Sequence, residues 1–356
     1  MSTSEGQKSK LLKYTIVALS ILTAVAVVPW GYTPVLLVLI SVAVAVAIEY
    51  ALSRVSKRFP RSILSAVVFG QIVALSYTLA NTNVWTFGYY LTPAYEPEVI
   101  PQTAPMAYAY VAIISAVGEV VFRKLQGLLK RKIVNAAAAA KLLVFLPFLQ
   151  TVLLAQAHKD SLLLAGAVGY NYNPASPSLA SAFGPLVAGC FGYFPTRPNT
   201  IHAEPVDVFQ ILAVLKYHGW VGGASAIAVI VVGLALFILA RKYIKWRTTA
   251  GYFAGILAMS AVMFGVFGGD FLLRLGFELF IGSSIFFAFF MITDPATTPN
   301  GHAAQVIFGV GVAVLTVLIQ TFMGFLGGSI LALVIMNLTV PLLDRIKTRK
   351  TKPATV

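Results

Sequence analysis

Long apolar runs separated by short polar segments extend from residue 13 to residue 343. Several runs approach or exceed the roughly 20 residues that an α-helix needs to cross a bilayer. The pattern therefore predicts an all-α integral membrane bundle of about ten transmembrane helices. The predicted spans are approximately 13–29, 33–51, 62–80, 106–122, 137–156, 219–240, 249–267, 271–292, 303–321 and 324–343.

Composition supports a polytopic membrane protein. Hydrophobic residues make up 58% of the 356 residues and charged residues only 11%, against about 25% charged in soluble domains. The single cysteine, Cys190, excludes an internal disulfide, and the four histidines are too far apart in sequence for a paired metal-binding motif. We predict no metal site.

The charges are distributed asymmetrically between the two sides of the predicted membrane. With the N-terminus in the cytoplasm, 21 of the 26 Lys and Arg residues fall in cytoplasmic segments. This positive-inside pattern predicts a multi-pass plasma-membrane protein with both termini cytoplasmic. Its basic loops would face anionic lipid rather than nucleic acid. The predicted organisation is a cytoplasmic tail at 1–12, one membrane domain at 13–343 and a basic cytoplasmic tail at 344–356.

Two predicted external segments have unusual compositions. Residues 81–105 are rich in aromatics and proline, which is typical of an interfacial aromatic belt with a loop. Residues 157–218 contain apolar pieces too short to span, broken by glycine and proline. This second segment is either re-entrant structure that lines a site or an external loop that only packs.

Four ionisable residues lie in or near the apolar spans. Glu278 is about two turns inside its span, four residues after Arg274, and Glu119 is one turn before Arg123. Each is a candidate for an ion relay, and an Arg–Glu pair is the alternative for both. Glu49 and Lys141 lie near the cytoplasmic ends of their helices, and we expect them to reach the interface by snorkelling.

Polar residues follow the apolar run that ends at Ile292. Asp294, Thr297 and Thr298 offer a carboxylate and two hydroxyls that could bind a cofactor. The alternative is that they only cap and connect helices. The same alternatives apply to Asn135, which precedes an alanine-rich helix.

The run at 286–292 and the following Thr293–Pro299 segment resemble a signature of the RnfD/NqrB family. This family comprises the D subunit of Rnf ion-translocating electron-transfer complexes and the B subunit of the sodium-pumping NADH:quinone reductase. Residues 301–345 are similar to its last two helices, and residues 240–255 to its preceding cytoplasmic turn and helix. Arg131–Ala137 resembles its basic-x-x-Asn-Pro-Ala segment, with Ala136 in place of proline.

The resemblance implies an inverted-repeat bundle that carries flavin and passes electrons across the membrane, coupled to Na⁺ or H⁺. Family members attach FMN through its phosphate to a threonine in an external Ser-Gly-Ala-Thr-Pro-Leu motif. The matching segment here is Ile201–Val206, with Glu204 in place of that threonine. Because a carboxylate cannot take this phosphoester, we predict no covalent FMN. Noncovalent flavin (FMN or riboflavin) or quinone remains as the predicted cofactor.

The leading hypothesis is a membrane subunit of an ion-translocating electron-transfer complex. Asp294, Thr297, Thr298 and Asn135 would line a cofactor site, Glu204 would occupy the old flavin position, and Glu278 and Glu119 would relay ions. The chain contains no dinucleotide or phosphate-loop motif, so other membrane and redox subunits would supply the remaining chemistry. The alternatives are a permease that kept the scaffold without redox function and an accessory subunit with no chemistry of its own.

Overall fold

The computed structural model describes residues 2–55, 61–80, 104–129, 132–145, 218–241, 243–267, 271–276, 278–279, 284–323 and 328–346. Glu204, Cys190 and residues 157–217 of the predicted external segment therefore lie outside the described residues. The elements that follow belong to the described ranges alone.

Three helices and one short strand form the N-terminal part of the fold: α1 (Ser2–Trp30), α2 (Thr33–Val55), α3 (Ile63–Leu75) and β1 (Thr78–Ala80). Helix α1 begins well before the predicted span 13–29, so the predicted tail at 1–12 is helical from Ser2 onwards. Gly31 separates α1 from α2 with a φ of 60°, a left-handed conformation that glycine adopts without steric cost.

The next described elements are α4 (Ala104–Val117), a π-helical segment at Gly118–Leu125 and α5 (Ala136–Phe145). After residues 146–217 the chain continues with β2 (His218–Trp220), α6 (Ala226–Leu239) and α7 (Trp246–Phe267). It ends with α8 (Phe271–Gly276), α9 (Ser284–Phe286), a second π-helical segment at Phe287–Met291, α10 (His302–Met323) and α11 (Gly328–Leu343).

Every one of the ten predicted spans contains helix, and the all-α fold class is confirmed. Among the described residues, four helices are long and apolar enough to cross a membrane: Lys8–Val28, Thr33–Val55, Trp246–Val266 and His302–Gln320. Large apolar side chains on their outer surfaces remain exposed, including Val28 at 71% and Val266 at 69%. Such surfaces are stable where lipid, rather than water, surrounds the bundle.

Within the described residues, four predicted spans are not single regular helices, and those boundaries were wrong. The predicted span 106–122 continues from α4 into the π-helical segment Gly118–Leu125. In the predicted spans 62–80 and 219–240, the residues of β1 and β2 are strands that pair antiparallel with each other. The predicted span 271–292 contains α8, α9 and a π-helical segment in place of one α-helix. The paired residues are 138 to 142 positions apart, so no local periodicity reveals the pairing.

Aromatic rings pack beside this strand pair. Trp220 lies edge-on to Phe286 and Phe287, with ring centroids 6.3 Å away in both cases. A Cβ atom on Gly222 would meet the Phe286 ring at 2.4 Å. Glycine therefore lets the chain after β2 lie directly on α9, at the entrance to the second π-helical segment.

Candidate functional site

A cavity of about 170 Å³ lies at the basic end of the bundle, which we define as the end that carries Arg54, Arg123, Arg241 and Arg345. This volume is more than ten times the roughly 10–15 Å³ that one water requires. Apolar and aromatic side chains form most of the wall, and a few polar groups converge on it. The lining residues most important here are Ser65, Phe69, Arg123, Lys132, Asn135, Phe289, Phe290, Thr293 and Asp294.

Asp294 organises the polar segment at the mouth of the cavity. Its Oδ1 accepts a hydrogen bond from the Ala296 backbone N–H at 3.0 Å, and its Oδ2 accepts one from the Thr297 hydroxyl at 3.3 Å. The Thr298 hydroxyl donates to the Asp294 backbone carbonyl at 2.8 Å. The segment is thus folded on itself by short-range bonds of the kind that Asp and Thr form in turns.

Lys245, in the turn before α7, stabilises the same segment by hydrogen bonds. Its Nζ donates to the carbonyls of Pro295 at 3.0 Å and Thr298 at 2.7 Å, and to Asn300 Oδ1 at 3.2 Å. The basic turn that the charge pattern assigned to lipid contact therefore also holds the mouth of the cavity in place.

Two buried asparagines connect this segment to α5 and α11. Asn135 Oδ1 caps α5 by accepting from the backbone N–H groups of Ala137 and Ala138, both at 3.1 Å. The Asn135 backbone N–H donates to Asn337 Oδ1 at 2.8 Å, and Asn337 Nδ2 donates to the Thr297 carbonyl at 3.0 Å. This network fixes the position of Asn135 at the cavity wall.

The structure brings together only part of the predicted cofactor set. Asn135 and Asp294 both line the cavity. Thr297 and Thr298 are each only 2% exposed, and neither lies on the cavity wall. Their hydroxyls bond within the segment, which matches the alternative of helix connection. Glu204 lies outside the described residues.

Two cations in the cavity wall were missed in the sequence. Lys132 was counted only as a loop charge facing lipid, and Arg123 as a loop charge and the possible ion-pair partner of Glu119, but both line the cavity. Arg123 also donates to Ser65 Oγ at 2.8 Å and pairs with Glu119. Because these residues are 9 positions apart and on different elements, only the packing of the π-helical segment against α5 brings them together.

Burial lowers the pKa of Lys132 below the ordinary lysine value. The attraction of Asp294 opposes this shift, whereas the positive charges of Arg123 and Lys8 add to it. Keeping the Lys132 amine protonated therefore costs free energy in the folded protein. A negatively charged group in the cavity would reduce that free-energy cost.

Replacing Lys132 by methionine should raise the stability of the ligand-free protein near neutral pH. At pH values between the pKa of Lys132 in the folded protein and its ordinary pKa, the unfolded chain binds more protons than the folded protein. The stability of the wild-type protein therefore rises with pH in this window. The melting-temperature difference between Lys132→Met and wild type should accordingly be largest below that window and shrink as the pH rises through it. The control is Lys13→Met, which replaces an exposed lysine that does not line the cavity and should change the melting temperature little. A melting-temperature difference between Lys132→Met and wild type that grows with pH would contradict the lowered pKa of Lys132.

Glu278 lies within a group of buried polar side chains between α7, α9 and α10. Its side chain is 1% exposed, and its backbone carbonyl accepts from the Ser284 hydroxyl at 2.5 Å. The Tyr252 hydroxyl faces Ser284 and Thr316 and lies close enough to Glu278 for their charges to interact. The side chain of Arg274 lies outside the described residues, so the alternative of an Arg274–Glu278 pair stays a prediction.

Lys141 and Glu49 do not snorkel, which corrects the sequence-based expectation. Both side chains are fully buried. Lys141 Nζ donates to the Ser76 carbonyl just after α3 and lies 5.0 Å from the centre of the Trp220 ring. The buried Lys141 amine thus has a carbonyl partner at the end of α3 and lies over an aromatic face. Glu49 pairs with Lys124 instead of reaching the interface.

These features define an all-α polytopic membrane protein with a charged cavity at its basic end and acidic side chains buried inside the bundle. The sequence profile described as the NQR2, RnfD, RnfE family matches residues 97–352. The chain belongs to this family.

Curated relatives agree with this assignment. The chain is 33% identical over 154 residues to a protein of Pseudomonas paraeruginosa that is named as the D subunit of an ion-translocating oxidoreductase complex, covering 40% of this chain and 45% of the relative. A protein of the same name from Shewanella amazonensis is 30% identical over 249 residues, covering 67% of this chain and 70% of the relative. The chain spans about half the length of most of the curated relatives it matches.

Proposed function

We propose that the protein is a membrane subunit of an ion-translocating electron-transfer complex and that its basic-end cavity binds a flavin or a quinone noncovalently. The observation that carries the proposal is the cavity itself, which combines aromatic walls, two cations, a carboxylate and an amide beside the signature segment. A mostly apolar pocket with a few convergent polar groups is the usual form of a cofactor site.

The lining residues fit a flavin by their chemistry. Phe69, Phe289 and Phe290 offer apolar faces to a ring system, while Asn135 and Asp294 offer polar groups to its edge. Lys132 and Arg123 suit a phosphate or an anionic ring. A bound flavin would supply one-electron and two-electron transfer; the chain would bind it, orient it and balance its charge.

Two π-helical segments border the cavity, one carrying Arg123 and the other Phe289 and Phe290. Such segments occur often at functional sites, because an added residue per turn redirects side chains. Because π-helical segments form two walls of this cavity, they support the proposal that the cavity is the cofactor site.

Glu278 and Glu119 are the proposed ion-relay residues. Both are fully or almost fully buried, and ionisable side chains at such positions in membrane bundles mark ion pathways. The Tyr252 hydroxyl, which lies near Glu278 and contacts the Thr316 hydroxyl, adds oxygen atoms of the kind that hard cations prefer. The other subunits of the complex would supply the redox partners.

Equilibrium titration of the detergent-purified protein with FMN, riboflavin and a soluble quinone tests the proposal. We expect flavin or quinone binding, and any yellow colour should leave the protein on acid denaturation. Lys132→Gln should weaken FMN binding about 10-fold to 100-fold, because a charge-assisted hydrogen bond contributes about 1.5–3 kcal/mol. Its effect on riboflavin, which has no phosphate, should be much smaller.

The matched control is Lys13→Gln, which removes an exposed lysine that does not line the cavity and should leave both affinities unchanged. A protein that binds neither flavin nor quinone contradicts the cofactor proposal. If that protein moves a solute across liposome membranes, the permease alternative replaces it. Colour that stays with the denatured chain contradicts the prediction of no covalent FMN.

A further inference from the structure

Two glutamates from different elements meet behind the cavity wall. Glu49 is on α2 and Glu119 is on the π-helical segment Gly118–Leu125, and both side chains are 0% exposed. Their carboxyl groups lie within hydrogen-bonding reach of each other. They are 70 residues apart, so no sequence pattern indicates this contact.

Three of the four carboxyl oxygens have a donor or a cation beside them. Glu49 Oε1 accepts from the Ser62 backbone N–H at 2.5 Å, and Glu49 Oε2 lies 2.7 Å from Lys124 Nζ. Glu119 Oε2 pairs with Arg123. Within the described part of the chain, Glu119 Oε1 is buried and accepts no hydrogen bond.

Two ionised carboxylates cannot hydrogen-bond to each other, because each is only an acceptor. Placed side by side away from water they repel strongly, and one of them then takes up a proton. A single proton on Glu119 Oε1 would turn this acceptor into a donor toward Glu49. This proton would give the buried Glu119 Oε1 a hydrogen-bond partner and would also remove the repulsion between the two carboxylates.

We propose that Glu49 and Glu119 form a carboxyl pair that binds one shared proton, held mainly on Glu119. Glu49 has a backbone donor and a lysine, whereas Glu119 has the single arginine, so the negative charge is better stabilised on Glu49. The pair titrates as a unit rather than as two separate groups.

The charged groups that face the pair are Arg123 and Lys124 from the π-helical segment and Lys132 from the loop before α5. Arg123 also lines the cavity, so it connects the proton site to the proposed cofactor site. Loss of the shared proton would change the charge opposite Arg123 by one unit. This link to the cavity rests on the proposed function, whereas the shared proton itself does not.

Infrared spectroscopy of the ligand-free protein tests the proposal independently of any cofactor. We expect wild type at neutral pH to show the C=O stretch of a protonated carboxyl group, shifted on exchange into D₂O. Glu119→Gln should lose this contribution and remain folded, because the Gln side chain can donate to Glu49 as the protonated acid does. Asp344→Asn is the control: it removes a carboxyl group just after α11, outside the pair, and should keep this band.

Glu49→Gln provides a second test if Glu119→Gln fails to fold, and it should also remove or shift the band. Identical protonated-carboxyl bands in wild type and in the folded variant would overturn the proposal. So would a wild-type spectrum with no such band whose carboxylate bands respond to added Na⁺, since the pair would then hold a cation rather than a proton.

Discussion

Gly309→Ala is expected to cost about 3 kcal/mol of folding free energy or more, at the upper end of overpacking effects. A Cβ atom at Gly309 would lie 2.2 Å from the Thr248 carbonyl oxygen and 2.8 Å from the Tyr252 backbone nitrogen. Both are backbone atoms of α7, so the new methyl group can be accommodated only if α7 and α10 move apart. Unfolding of the purified protein by a denaturing detergent measures the loss.

Gly265→Ala is the control, on α7 itself. A Cβ atom there has nothing within 4 Å, and alanine in a helix is favoured over glycine by about 0.5–1 kcal/mol. We therefore expect no loss or a small gain in stability at Gly265. Equal destabilisation at the two positions would contradict the close contact between α7 and α10.

Asn337→Leu should be the second severe substitution, with a loss of about 2–6 kcal/mol. Leucine has similar volume but leaves the Asn135 backbone N–H and the Thr297 carbonyl without their partners, and each unsatisfied buried group costs about 1–3 kcal/mol. Cofactor affinity should fall as well, because Asn135 loses its anchor at the cavity wall. Thermal unfolding and ligand titration measure the two effects.

Thr339→Ala, two residues further along α11, is the control for that substitution. The Thr339 hydroxyl bonds only to the Met336 carbonyl of its own helix at 2.8 Å, so its removal should change stability by less than about 1 kcal/mol. A loss at Asn337 no larger than this would show that the asparagine network contributes little.

Hydropathy alone predicted where helices occur, because a membrane span must satisfy its backbone hydrogen bonds internally and over a fixed length. It did not predict the β1–β2 pairing or the π-helical segments. The strand pairing depends on residues distant in sequence, and the π-helical segments depend on how the surrounding helices pack. A Cβ atom added at Gly251 or Gly309 would meet backbone atoms of the neighbouring helix, so these glycines permit close helix contact.

The candidate site was partly visible in the sequence. Asp294 and Asn135 stood out because polar residues at the ends of apolar runs need a reason to be there, and both line the cavity. Arg123 and Lys132 did not, because a positive-inside loop explains a basic residue equally well. Glu49 was expected to reach the interface by snorkelling, because its position near a helix end offered a simpler account than contact with Glu119.

The pairing of β1 with β2 ties α3 to α6 through backbone hydrogen bonds. An alternating-access motion that separated α3 from α6 would have to break that ladder in every cycle. A carrier of electrons benefits from the opposite property, since tunnelling rates fall steeply as donor and acceptor separate. The strand pair thus fixes the distance between the end of α3 and the start of α6, which suits the electron-transfer function proposed above.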